Sequence, residues 1–213
     1  MSNTSPDLLG YKKYLIGLAN DNSSVWFTNS GKDYASILMS VLLKNTQNEV
    51  RIYCHGFKPD LITTNPYWNT LNDFVKNQDK VIHVLVQTDE FLNCAPLNLL
   101  KTEKQNRIQK QKALKTNELK DANPLMPQEE IDKEIANMNC DSIIVKKILD
   151  ADKEKITNQF GLECNFAVFD NEKFRFEIDP NKFIAFGSFN QKDYCTTLIG
   201  IFDEAFNTAK VLF

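Results

Sequence analysis

Lys80–Thr88, K-V-I-H-V-L-V-Q-T, decides the fold class of this chain. It is almost unbroken in β-branched or apolar residues, the composition of a strand whose sheet is covered on both faces. Upstream, Trp68–Lys76 returns Trp68, Leu71 and Phe74 or Val75 at helical spacing. Glu49–Cys54 (E-V-R-I-Y-C) is a strand, alternating Val50, Ile52 and Cys54 against Arg51 and Tyr53. Asp33–Lys44 places Ile37, Leu38, Val41, Leu42 and Leu43 on one helical face, and Ser24–Asn29 is a strand closed by the turn Asn29-Ser30-Gly31. A β-α-β-α-β cadence from Ser24 to Thr88 predicts right-handed crossovers and a parallel sheet, hence an α/β fold.

The cadence then breaks. Lys101–Asn139 is polar, lacks aromatics and reads mostly as helix. Lys101, Lys104, Arg107, Lys110, Lys112, Lys115 and Lys120 make its first half basic, and Asp121–Glu134 is acidic. Asn123-Pro124 and Met126-Pro127 mark the turn between the halves. The spacing predicts a helical hairpin, residues 96–140, inserted in a single α/β domain that runs over residues 1–213. Beyond it, Asp141 is a good N-cap for a helix carrying Ile143, Ile144, Ile148 and Ile156. Strands at Glu163–Asp170, Lys173–Ile178 and Phe183–Phe186 follow, with a tight turn at Asn171-Glu172 and a last helix at Asp193–Val211.

Composition narrows the function classes. The chain has 213 residues, 25 basic against 28 acidic side chains and a net charge of −3, so there is no global field for nucleic acid or an anionic membrane. A 42% hydrophobic content excludes a wholly disordered chain. Met1–Gly10 lacks the pattern of a secretory leader, and the longest apolar run, Ala35–Leu43, is too short to cross a bilayer. Cys54, Cys94, Cys140, Cys164 and Cys195 are scattered without a C-x-x-C pair, which predicts reduced thiols in the cytoplasm and no zinc site. No cofactor is expected, and two histidines, His55 and His83, exclude a histidine-rich metal site.

The informative stretch is Glu163–Asn190. Asn165-Phe-Ala-Val-Phe-Asp170-Asn171 is a strand ending in an acid and a turn, and Gly187-Ser188-Phe189-Asn190 opens the last helix. This arrangement resembles the phospholipase D superfamily in its single-motif form, whose members carry H-x-K-x-x-x-x-D and then G-S-x-N before a helix. The resemblance covers Ser24–Thr88 and Asp141–Phe213 and leaves the helical insertion outside. It implies a mixed sheet flanked by helices and two active sites paired across a homodimer. It also implies a bacterial or phage accessory or defence setting.

The sequence departs from the family where the chemistry is done. Counting back from Asp170, the family's His falls on Glu163 and its Lys on Asn165. There the His is the nucleophile that makes a phospho-enzyme, and the Lys neutralises phosphate oxygens. Glu163 is a poor nucleophile toward phosphorus and repels a phosphodiester, while Asn165 supplies no positive charge. The resemblance therefore implies a catalytically degenerate member that acts as a binding, sensing or scaffold subunit. The alternative is a metal-assisted phosphodiesterase or nuclease built on Glu163, Asp170 and Asp89.

Glu163, Asn165, Asp170, Ser188 and Asn190 are the candidate ligand-binding residues. Ser188 and Asn190 correspond to family residues that contact phosphate, at a helix N-terminus that favours an anion. Their other reading is local: Asn190 caps the last helix, with Asp193 at N3, and Ser188 closes a turn. Arg175 and Glu177 share one strand face, either as an ion pair or as pocket lining. His55, at the end of its strand, either faces the same pocket or is structural. Asn29-Ser-Gly31-Lys32 is no phosphate loop, because Trp26 stands where the first glycine belongs. Lys104, Arg107 and Lys115, near one helical face, are the candidate residues for a protein partner or nucleic acid. The acids that follow and the absence of aromatics favour a solvated, internally salt-bridged hairpin.

Overall fold

The computed structural model describes residues 6–57, 59–90 and 92–213. In chain order the elements are α1 (Pro6–Asn20), β1 (Phe27–Asn29), α2 (Lys32–Lys44), β2 (Glu49–Cys54), α3 (Pro59–Ile62), α4 (Tyr67–Lys76) and β3 (Val81–Val86). They continue as α5 (Ala95–Ala122), α6 (Gln128–Ala136), β4 (Ile143–Lys147), α7 (Asp150–Phe160), β5 (Asn165–Phe169), β6 (Lys173–Asp179), β7 (Ile184–Ser188), α8 (Lys192–Thr208) and β8 (Lys210–Val211). The strands form one mixed sheet in the order β1-β7-β6-β5-β2-β3-β4-β8. Helices cover both of its faces, as the run at Lys80–Thr88 predicts. One face packs Leu38, Leu42, Leu71, Val84, Val145 and Phe169 under α1, α2, α4 and the start of α5. The other packs Tyr53, Leu85, Phe166, Phe176, Leu198 and Phe202 under α7 and α8.

Only β2, β3 and β4 are parallel neighbours. The first strand does not join them. The antiparallel run β5-β6-β7 lies against β2, so β1 is displaced to the far edge, where it pairs antiparallel with β7 through Phe27↔Gly187. Gly187 is required there: a Cβ would stand 2.2 Å from the Phe174 carbonyl oxygen and 2.7 Å from the Phe27 ring.

Two more expectations need correction, and one helix was not expected. Ile143, Ile144 and Val145 form strand β4 and not a helix; their β-branched run fits the open edge of β3, and the helix starts only at Asp150. The last helix stops at Thr208, and Lys210–Val211 adds a short strand to β4. Helix α1 has no counterpart in the sequence reading, because exposed Leu9, Tyr14 and Ile16 interrupt the buried stripe through Leu15. The reading of residues 1–10 as leaderless falls partly on residues 1–5, outside the described residues. No helix among the described residues is long and apolar enough to cross a membrane.

The two insertion helices lie between β3 and β4. No ion pair among the described residues joins them; Lys115 pairs with Glu118 and Lys133 with Glu129, each within its own helix. Lys104 and Arg107 do not form a surface with Lys115. Lys104 is buried, and Arg107 is 2% exposed. The Arg107 guanidinium donates to the carbonyls of Val75 (2.6 Å), Asn77 (2.7 Å) and Lys80 (2.7 Å) and to Ser142 Oγ (2.6 Å). It fastens α5 to the α4–β3 turn and to the approach to β4, so it is an anchor and not a contact for a partner.

Asp170 is likewise structural. Asp170 and Asn171 adopt φ of +51° and +61° at the β5–β6 turn, a conformation their short polar side chains tolerate. The Asp170 carboxylate accepts the backbone N–H groups of Gln47, Asn48 (2.7 Å) and Glu49 (3.2 Å), and Lys173 stands 3.2 Å away. Burial alone would raise its pKa, but those three N–H groups and Lys173 outweigh it and hold the carboxyl below the usual range. A depressed native pKa contributes stability above the unfolded value of about 4, lost as pH falls through the native one. Asp170→Asn is therefore expected to lower the melting temperature at pH 7, with a deficit that shrinks as melts are taken below about pH 4. A deficit unchanged down to pH 2 would contradict this account.

Candidate functional site: an apolar cleft over a buried ion pair

At the C-terminal end of β2 the sheet opens into a cleft of about 70 Å³, roofed by α2, α3 and α4. Such a crevice is where α/β sheets commonly place ligands. Its walls are apolar, with Met39, Ile52, Phe57, Leu61, Ile62 and Phe183. Polar side chains line its floor. Glu177 Oε1 accepts from Arg175 Nη2 at 2.6 Å, and both residues are more than nine-tenths buried. Glu177 Oε2 accepts from Asn165 Nδ2 at 2.6 Å. Asn165 Oδ1 in turn accepts the His55 backbone N–H (2.7 Å) and Gln87 Nε2 (3.3 Å). Arg175 Nε donates to Asn29 Oδ1 at 3.3 Å, and Asn29 Nδ2 donates to the Phe183 carbonyl at 2.6 Å. Phe183 holds φ of +54°, unusual for a bulky residue, within the β6–β7 connection beside the cleft.

Five side chains from β1, β5, β6 and the end of β3 thus form one hydrogen-bonded chain under the cleft. Such a network fixes its members when every one is satisfied. Arg175 and Glu177 are both an ion pair and pocket lining. Asn29, Tyr67 and Gln87 escape sequence reading, since a lone polar residue at a strand or helix end carries no pattern. The Cys54 thiol is pushed up by burial and by the nearby Glu177, and burial pushes Cys164 up to about 12. Neither is a thiolate nucleophile at neutral pH.

The candidate ligand residues do not converge. Asn165 is in the cleft wall with both ends of its amide engaged. Glu163 sits at the neighbouring rim, largely exposed, and pairs with Lys153 at 3.5 Å. Asp170 lies at the opposite end of β5, about 16 Å of strand from Asn165. Ser188 is also away from the cleft: it pairs with Phe174, whereas Asn165 and Glu177 pair near Ala185. Ser188 is fully buried and Ser188 Oγ donates to the Ser23 carbonyl at 3.3 Å. Asn190 Nδ2 donates to the Asn22 carbonyl at 3.2 Å. Neither caps the last helix, whose N-cap is Gln191 with no side-chain cap bond. Gly187-Ser188-Phe189-Asn190 is a clasp that holds the α1–β1 connection, with Phe189 packed on Phe27 at 5.2 Å between ring centres.

The carboxylates of the metal-assisted alternative are dispersed as well. Asp89 is ion-paired with Lys147, Glu163 faces Lys153, and Asp170 is at the far end of its strand. Among the described residues no three His, Cys, Asp or Glu side chains are grouped to hold a metal.

No protein-family model matches the sequence, and no curated protein matches it. Among solved structures, the chain is similar to a phospholipase D family member, Nuc from Salmonella typhimurium, at 8% identity and a TM-score of 0.49, over 88% of this chain and 98% of that one. It is also similar to TrmBL2, an archaeal chromatin protein described as showing a novel mode of DNA binding, at 12% identity and a TM-score of 0.46. That match takes in 100% of this chain and 57% of the other. Both scores lie below 0.5, and likeness of this degree defines neither a family nor an activity.

Proposed function

We propose that this chain is a binding subunit of phospholipase D-like architecture, without the family's phosphodiester chemistry, that uses the cleft at the end of β2. The observation that carries this reading is the state of Asn165, at the position of the family's phosphate-binding lysine. Its amide is committed on one side to His55 and Gln87 and on the other to Glu177. No cation among the described residues is free there for a phosphate, and Glu163, in the nucleophile's position, turns to Lys153. The homodimer, the single domain with residues 96–140 as its inserted arm, and the bacterial or phage accessory setting belong to the same proposal.

The test is hydrolysis of bis(4-nitrophenyl) phosphate and of single- and double-stranded nucleic acid, with and without Mg²⁺ or Mn²⁺. The expected result is no turnover above the background of Glu163→Gln. Metal-dependent turnover that disappears in Glu163→Gln would overturn the reading and restore the carboxylate alternative.

A further inference from the structure

The Tyr67 side chain lines the cleft from the first turn of α4. The residue is 2% exposed, and its hydroxyl has no hydrogen-bond partner among the described residues, whereas its backbone N–H is held by Ser36 Oγ. Burying a phenol without a partner is costly, and buried tyrosine hydroxyls usually find one. The hydroxyl is nevertheless not sealed in. Arg107 Nε is the one fully enclosed, unpartnered side-chain polar atom among the described residues, so the Tyr67 hydroxyl borders open space. That space is the cleft.

His55 lines the same opening, and its ring is also without a hydrogen-bond partner among the described residues; its backbone N–H and carbonyl are engaged by Asn165 and Gln87. Two unused hydrogen-bonding groups therefore border an apolar cavity. The charges beneath them cancel, because Arg175 and Glu177 are paired with each other. An anion entering would meet no free cation among the described residues and would have the Glu177 carboxylate below it. A cation would meet the Arg175 guanidinium. A pocket that is mostly apolar, with a few convergent polar groups, fits a small molecule.

Resting on the binding reading above, we infer that the cleft takes an uncharged small molecule whose short apolar body sits among Met39, Leu61, Ile62 and Phe183 and whose carbonyl-type oxygen accepts from the Tyr67 hydroxyl. His55 supplies a second polar contact at the mouth. Phosphate esters and carboxylates are disfavoured by the cancelled charge of the floor.

The test is an NMR titration of the full chain with benzamide, which carries a ring and a neutral carbonyl. Benzoate and phenyl phosphate serve as near-isosteric anionic comparators. Benzamide is expected to shift the Tyr67 and His55 resonances saturably and to bind more tightly than either anion. Tyr67→Phe keeps the shape and removes a hydroxyl that has no partner among the described residues, so its melting temperature should match that of the parent. Its benzamide affinity should fall about fivefold to tenfold, the worth of one hydrogen bond. Leu61→Trp, at a partly exposed position of the wall, should abolish the shifts by filling the cleft.

Absence of saturable benzamide binding would overturn the inference. So would binding that Tyr67→Phe leaves unchanged, or tighter binding of phenyl phosphate or benzoate. Each outcome is independent of phosphodiester turnover, so failure here and failure of the binding reading are told apart.

Discussion

Glu177→Leu is expected to cost about 3–5 kcal/mol of folding stability, the range for breaking one partner of a buried ion pair. The reason is the state of Arg175 afterwards. Arg175 is 6% exposed and would keep, among the described residues, only Asn29 Oδ1, at 3.3 Å, as an acceptor. Asn165 Nδ2 would lose its 2.6 Å acceptor as well. Against a typical total of about 5–15 kcal/mol, such a loss brings the protein close to unfolding. Urea melts give the number. The double variant Glu177→Leu/Arg175→Met separates pair from packing, since replacing both charges by apolar side chains is often neutral or favourable. The double variant should recover most of the midpoint lost by the single one. If Glu177→Leu melted within about 1 kcal/mol of the parent, the pair would be solvated in solution and the floor of the cleft would not be built as described.

That pair also shows where sequence reading succeeds and where it stops. Alternation in Lys173–Ile178 correctly divides Arg175 and Glu177 from Phe174, Phe176 and Ile178. What alternation cannot say is that the polar side lies under α2, α3 and α4, because period-2 spacing records which residues share a face and not what covers it. The β5–β6–β7 run was legible as three strands with a turn at Asn171-Glu172. Its place between β1 and β2 was not, since strand order depends on long-range pairing that leaves no local mark. The same gap misplaced the Gly187-Ser188-Phe189-Asn190 motif. Read as a string, it follows the family pattern. In space, β6 and β7 reverse the chain twice after Asp170, which carries the motif to the other end of the sheet from Asn165 and makes it a clasp. The Ile143–Val145 stretch failed for a different reason: Asp141 is a good helix cap by type, but the free edge of β3 outweighed that preference.

Arg107 is the second site where a single substitution should unfold much of the molecule, and its basic neighbours give no hint of this. Lys110, Lys112 and Lys115 sit on the exposed part of the same helix, whereas Arg107 is drawn inward, and burial lowers its pKa despite nearby acids. Its two Nη atoms meet four oxygens at 2.6–2.7 Å, three of them backbone carbonyls. Those carbonyls end α4 and lead into β3; that of Asn77 also accepts the Lys80 N–H at 3.2 Å, whereas the guanidinium is the donor to Val75 and Lys80. Arg107→Met fills similar space but removes four charge-assisted bonds and strands the Val75 and Lys80 carbonyls, while Asn77 keeps the Lys80 N–H and Ser142 Oγ keeps Cys140 Sγ. The expected cost is roughly 3–5 kcal/mol, since bonds to charged donors are worth about 1.5–3 kcal/mol each and do not add fully. Arg107→Lys should recover less than half of it, because one ammonium with three donors cannot reproduce a planar fork. Hydrogen exchange supplies the spatial check. In Arg107→Met, protection should fall first at Asn77–Val81 and at Ser142–Ile144, which the guanidinium ties together, and later at β5 and β6. Uniform loss of protection across the sheet would mean that α5 is fastened elsewhere, and a melt within about 1 kcal/mol of the parent would return Arg107 to the surface role its sequence neighbours suggest.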